Sequence, residues 1–516
     1  MVVSATVWGH RAATGDPLRT AGAGPILGPM PRSFPSLRVL EDRFEAEGAF
    51  AEAQAEYLRP DPALVRELDA LLEQKKIGVV AHFYMDPQLQ GVLASCSWPH
   101  IGISDSLVMA DRAIAFAQAG CRSIVVLGVD FMSENARAML DRAGFGHVPV
   151  YRVAAEPIGC SLAAAADTLT YQAWLMKAAK SPRAIHVVYI NTSLRTKAKA
   201  HAIVPTITCT SSNVVQTILS AFAEIDGVEV FFGPDTYMGQ NLAHLLESMS
   251  AMGDDEIRKV HPAHDRASIA RARERFHFFG SGNCIVHHMF GADVVRRVRE
   301  EESDSFVTAH LEVPGEMFGL AMELRADDRG AVGSTSDILG FISRKVKDAA
   351  EGRLSTRTVR FVLGTEAGMI TSIVRDVQKT LRDHAGSGVA VEIVFPVASE
   401  AIAQTDDPEL AIVPGAAGGE GCTTAGGCAT CPFMKMNSLD ALLDLARRVD
   451  VVDDDTLAAF HPHAYVELVE GRTMAEVGGE PILHMRHFQK TKHLAPELID
   501  DVITRRDRRT ASAAAR

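Results

Sequence analysis

The 516-residue chain has no uninterrupted apolar run of about eighteen residues, so no membrane-spanning helix is expected. Its N-terminus, MVVSATVWGHRAATGDPLRTAGAGPILGPMP, lacks a charged stretch leading into a long apolar one, which argues against a secretory signal. Cysteine is sparse: eight residues, unevenly spaced, do not make the disulfide framework of a secreted scaffold, and a reducing cytoplasm is the expected setting. Excess positive charge is missing too. A net charge of −13 argues against a nucleic-acid partner. Small anionic ligands stay possible, because a local site can be electropositive inside an acidic protein.

What is present is a globular composition, 47% apolar and 23% charged, in a chain long enough for about three domains. Residues 1–39 read as disordered and 40–58 as an amphipathic helix rich in Glu and Ala, together an N-terminal extension over 1–64. Three α/β domains are expected over 65–180, 181–304 and 305–495, followed by a polar tail over 496–516. The second carries a charged insertion, 249–281, that reads as a surface hairpin of helices.

A repeat runs through these three domains. GVVAHFY, IHVVYINTS and SFVTAHLE are apolar runs ending in polar residues. Hydroxyl-bearing steps follow at similar distances: SDS around Asp105, TSSN around Ser211 and GSTS around Ser334. Next comes an apolar run closing on an acid, VVLGVD, VFFGPD and FVLGTE, and then a cysteine, Cys160, Cys284 and Cys431. Strand, helix and strand in this order predict parallel sheets covered by helices, with ligands where strands end. The expected fold is α/β: three similar αβα, Rossmann-like domains around a pseudo-threefold axis, which would bring three cysteines to one point. Chance agreement of short motifs is the competing account.

Three thiolates from three domains suit an iron–sulfur cluster with one iron left open, which can act as a Lewis acid. Zinc held by Cys422, Cys428, Cys431 and a histidine fits the local C-x5-C-x2-C spacing as well. Pairs two residues apart, His82 and Tyr84, Tyr189 and Asn191, His310 and Glu312, would share one face at a strand end and carry protons or donors toward a pocket. Ser106, Ser211 and Thr335 fall at strand-to-helix turns, where backbone N–H groups favour anions; ordinary helix capping explains any one of them equally well.

AHFYMDP, SDSLVMA, LGVDFMSENA, VVYINTS, CTSSN, GNCIVH, GSTS, LGTEAGM and CPFMKMN stand in the order found in quinolinate synthases, and over about residues 75 to 440 the chain resembles that family. The resemblance implies condensation of iminoaspartate with dihydroxyacetone phosphate, and a [4Fe–4S] cluster on Cys160, Cys284 and Cys431. It implies proton transfer by Tyr84 and Glu312, with His310 beside them. His82, Ser106, Tyr189, Asn191, Ser211, His287, His310, Glu312 and Thr335 would contact substrate. An L-aspartate oxidase or aspartate dehydrogenase would supply the imine, and a homo-oligomer is left open. Where the family reads His-Pro-Glu, this chain has His310-Leu311-Glu312, which frees a backbone N–H. Two other readings stay open: a non-catalytic sugar-phosphate-binding protein with structural zinc, and a hydro-lyase acting on a different hydroxy acid.

Overall fold

The computed structural model describes residues 34–396, 430–469 and 471–514. Its strands are β1 (Ser36–Val39), β2 (Phe44–Glu47), β3 (Ile77–His82), β4 (Ile101–Ser104), β5 (Ser123–Leu127), β6 (Val150–Tyr151) and β7 (Ala184–Tyr189). They continue with β8 (Thr206–Cys209), β9 (Glu229–Gly233), β10 (Phe276–Phe278), β11 (Phe306–His310), β12 (Gly330–Gly333), β13 (Thr358–Gly364) and β14 (Ala390–Val394). Three parallel ladders result, ordered β4-β3-β5-β6, β8-β7-β9-β10 and β12-β11-β13-β14. Each has its second strand outermost and its first strand next to it. Every residue of β3 and of β7 is buried, as expected of strands covered by helices on both faces.

The N-terminal segment differs from its expectation. β1 adds antiparallel to β14 and β2 to β1, so the third sheet has six strands. Leu37 and Val39 are fully buried against that sheet, and Ser36 Oγ donates to Glu392 Oε1 at 2.8 Å. The helix is confined to Ala49–Tyr57, because Gly48, at φ 87°, turns the chain after β2. Residues 1–33 lie outside the described residues.

Where a polar tail is expected, a helix spans Pro496–Ala514 and buries Leu498 and Val502. The segment after residue 430 also ties the first two units. Helix Leu439–Arg448 joins Leu442, Leu445 and Ala446 to the core of Leu68, Leu72, Ile77 and Val79. Helix Met474–Thr491 lies on helix Leu194–Ile203 so closely that a Cβ at Gly478 would meet Leu194 O at 2.3 Å. The 249–281 insertion does form two helices, Asp254–Val260 and Arg266–Glu274, but it ends in β10, the fourth strand of its sheet.

Buried amides join the units. Asn241 Nδ2 donates to Leu311 O and Val313 O at 3.0 and 2.8 Å. Gln90 Nε2 donates to Phe83 O and, in the third unit, Gly368 O, at 2.6 and 2.7 Å. Asn437 Oδ1 accepts from Gly128 N at 3.0 Å, fastening the stretch that follows Cys431 to the first unit.

Two predictions follow from this framework. Asn241→Ala leaves two buried carbonyls unpaired and should cost about 1–3 kcal/mol, read as a lower urea midpoint. His186, enclosed on β7 with its Nε2 2.8 Å from Tyr171 Oη, is pushed down by burial from 6.5 to about 3. The unfolded chain takes up a proton below about pH 6.5 and the fold does not, so stability is lost as pH falls toward 3. Near pH 5 this amounts to about 2 kcal/mol. Urea unfolding of His186→Gln should show a smaller loss between neutral and acid pH than the parent.

Candidate functional site

The carboxyl ends of the three sheets open onto one cavity of about 710 Å³ counted with its mouth. Twelve residues expected at the site line it: His82, Tyr84, Ser106, Cys160, Tyr189, Asn191, Ser211, Cys284, His310, Glu312, Thr335 and Cys431. His287 does not line it. Fully buried, it lies behind the wall, its Nδ1 3.2 Å from Glu312 Oε2 but poorly aligned for a hydrogen bond, its ring stacked on His310 at 5.0 Å. No residue of the 249–281 insertion lines the cavity.

The two-residue spacing has a repeated cause. Phe83 N, Ile190 N and Leu311 N each donate across to the end of the neighbouring strand, to Ser104 O, Cys209 O and Gly333 O at 3.0, 2.9 and 3.1 Å. The middle residue of each triplet is thus pinned to the sheet. Its two neighbours turn to the cavity. Leu311 spends its N–H in this bond, which proline in that place would lack.

His82 Nδ1 accepts from Tyr84 N at 3.1 Å, and His310 Nδ1 from Glu312 N at 3.4 Å. Both rings therefore carry their proton on Nε2 when neutral. Burial pushes His82 down to about 3 and His310 to about 4, so both are neutral near pH 7. Burial also raises the Tyr84 and Tyr189 hydroxyls well above their usual value, leaving them protonated. Tyr189 donates to Glu312 Oε1. Burial alone would raise Glu312, but His287, His310 and the Tyr189 hydroxyl together hold it below the usual carboxylate range. Tyr84 Oη lies 3.2 Å from Thr335 Oγ1 and 3.3 Å from Thr365 Oγ1.

Helix capping falls to neighbours of the three expected hydroxyls. Asp105 caps helix Ser106–Gln118, accepting from Leu107 N and Val108 N at 3.1 Å each. Ser334 caps helix Thr335–Ala350, accepting from Asp337 N at 3.3 Å. Beside Ser211, Thr210 and Ser212 hydrogen-bond to each other at 2.8 Å. Ser106, Ser211 and Thr335 are left facing the cavity.

The donor set fits a thiolate-bound metal group. Cys160, Cys284 and Cys431, far apart in the sequence, are free thiols that all line the one cavity. Each sulfur accepts backbone N–H groups from the turn that follows: Leu162 and Ala163, His287, and Phe433 and Met434 respectively. Burial first, then the carboxylates Glu312 and Glu366, push the Cys160 and Cys284 thiols up, while burial, Glu366 and the Cys160 thiol raise Cys431. Three thiols so placed become thiolates only beside a compensating cation, and N–H groups aimed at sulfur are what such ligands use. Cys284, His287 and Glu312 also bring one ligand atom each within 4.8 Å of one another. Cys422 and Cys428, the zinc alternative, lie outside the described residues.

Glu366 was missed at the sequence level although its signal was there, in the acid that closes the second apolar run of each repeat. Buried in the cavity wall, it takes the Cys431 N–H and leaves Oε2 without a partner among the described residues. Its counterparts serve the other cysteine loops. Asp130 Oδ2 accepts from Ile158 N at 3.1 Å, two residues before Cys160. Asp235 caps its helix through Met238 N at 2.8 Å, and the adjoining Thr236 N donates to Gly282 O at 2.7 Å, two residues before Cys284.

A family model described as quinolinate synthetase A protein matches residues 66–457. The chain is 53% identical over 484 residues to a quinolinate synthase, chloroplastic, of Nicotiana tabacum, covering 92% of this chain and 67% of that one. It is 52% identical over 483 residues to the protein of the same name in Arabidopsis thaliana, 91% and 67% of the two chains. With the Oryza sativa subsp. japonica protein of that name the figures are 50% over 496 residues, 92% and 70%. These relatives are all named chloroplastic, which overturns the cytoplasmic expectation; a low disulfide content reports a reducing environment and does not say which compartment supplies it. Taken with the cavity they converge on one conclusion: this chain belongs to the quinolinate synthetase A family.

Proposed function

We propose that this protein condenses iminoaspartate with dihydroxyacetone phosphate to quinolinate, releasing phosphate and two waters, with a [4Fe–4S] cluster on Cys160, Cys284 and Cys431. The three units would be copies of one fold around a pseudo-threefold axis, as their common strand order suggests. One observation carries the reading: three thiols from three units, each receiving backbone N–H groups, share a cavity with an ionised Glu312. When bound, the cluster supplies Lewis acidity at an iron with no protein ligand, which helps a hydroxyl leave.

The chain's own residues would do the rest. Ser106, Ser211 and Thr335, with the N–H groups of the helix starts beside them, hold carboxylate and phosphate groups. His82 and His310 offer their Nε2–H to substrate oxygens, and Asn191 offers its amide. Glu312, ionised, takes a proton as the imine tautomerises, while Tyr84, protonated and held by Thr335 and Thr365, returns one to a leaving oxygen. Enclosure keeps water from the hydrolysable imine. The imine itself must come from an oxidation of aspartate, the reaction class of an aspartate oxidase or dehydrogenase.

Iron and sulfide analysis after anaerobic purification tests the ligand set. Ala at Cys160, Cys284 or Cys431 should empty the protein of both, whereas Ala at Cys96, Cys121 or Cys209 should leave them in place. Retention of iron in Cys160→Ala would remove that residue from the set. Turnover of the two named substrates tests the reaction: Glu312→Gln should keep its iron and lose about 10²- to 10⁴-fold in kcat. An unaltered kcat would take the proton-transfer role away from Glu312.

A further inference from the structure

Glu134, the glutamate of the motif LGVDFMSENA, has no part in the chemistry above, yet it is 3% exposed and held on both oxygens. Oε1 accepts from Tyr465 Oη and Oε2 from Leu194 N, each at 3.0 Å. Leu194 opens the helix Leu194–Ile203 of the second unit, and one turn along it stands Lys197, fully buried. The ammonium of Lys197 turns back toward the preceding loop. Its Nζ donates to Ile190 O at 3.1 Å and to Thr192 O, the carbonyls on either side of Asn191. Its electrostatic partners are Glu134 and Asp167, both from the first unit, and it lies 5.8 Å from the ring of Phe131, a cavity-lining residue.

Enclosing an ammonium costs several kcal/mol unless partners offset it. Helix formation does not need this one, because Ser193 already caps the helix by accepting from Thr196 N at 3.1 Å. Packing does not need it either, since methionine fills a similar volume without charge. What a donor at the end of this long side chain provides is a grip on both carbonyls flanking Asn191, beside the bond that Ile190 O accepts from Thr192 N at 2.7 Å. Asn191 itself lines the cavity, and its side chain has no hydrogen-bond partner among the described residues.

We propose that Lys197, buried near the carboxylates of Glu134 and Asp167, is a positioning residue that fixes Asn191 against the substrate. The proposal rests on the reaction given above only for its kinetic readout. Loosening this loop by an ångström costs on the order of 100-fold in turnover, with no change in the groups that touch substrate.

The neutralised pair Lys197→Met with Glu134→Gln removes both charges, keeps an acceptor for Leu194 N and turns an amide N–H toward Tyr465 Oη, which can accept it. Three measurements apply to protein matched for iron content. Hydrogen–deuterium exchange of the 190–193 amides, measured without substrate, should quicken while exchange in β7 stays as in the parent. kcat/KM should fall about 100-fold. Adding Asn191→Ala to the pair should leave activity within about threefold of Asn191→Ala alone, because residues acting through one another are not additive. Unchanged exchange, parental kcat/KM, or losses that multiply with Asn191→Ala would each overturn the proposal. Should the pair fail to fold, Lys197→Gln, which still reaches one carbonyl, gives the same reading with a smaller loss, and full activity in it would overturn the proposal. Absence of turnover in the parent protein would sink the proposed reaction and leave the exchange result to decide this one.

Discussion

A parallel strand that stops leaves the next N–H in need of a partner, and this fold gives the same answer three times. Phe83, Ile190 and Leu311 each hand that hydrogen to the neighbouring strand. A chain pinned at one residue presents the residues before and after it on the same side, because side chains alternate. Six of the polar groups in the cavity, from His82 to Glu312, owe their direction to those three bonds. Leucine at 311 is intelligible in the same terms: its N–H does what those of positions 83 and 190 do.

Charge is the second constraint. Glu312, Glu366 and three thiols gather in a space whose lining contains no lysine or arginine among the described residues. Anionic ligands entering such a place depend on hydroxyls, on Nε2–H and backbone N–H donors, and on whatever positive charge the thiolates carry. The low values of His82 and His310 are part of the same economy of charge: burial keeps both rings neutral, and so able to donate without adding a cation that needs a partner.

The repeat was legible because it is written in short, strongly constrained pieces. Apolar runs doubly covered by helices have little freedom of composition, and polar residues at their ends stand out against them. Ser106, Ser211 and Thr335 were visible by position, but the sequence offered no way to tell a capping hydroxyl from a free one; that required seeing Asp105 and Ser334 take the helix ends. His287 was legible as a neighbour of Cys284 and not as a residue behind the wall, since a 3-10 turn, His287–Met289, sets its direction. β1 escaped notice because four residues, SLRV, carry too little alternation to be distinguished from a loop. The C-terminal helix escaped for the opposite reason: its arginines masked the few apolar residues it buries. Glu366 was in plain view as the third of three acids and went unread, because its job depends on Cys431, 65 residues further along the chain.

The acids that close each third strand lend the molecule a particular kind of robustness. Asp130 and Glu366 grip main-chain N–H groups of the cysteine loops, and Thr236, beside Asp235, holds Gly282 at both ends, its hydroxyl accepting from Gly282 N and its own N–H donating to Gly282 O. A grip on main chain is indifferent to the side chains that the loop displays. The approaches to each sulfur are therefore free to change composition from one relative to another, while the place where the sulfurs meet is carried by the scaffold and inherited with it.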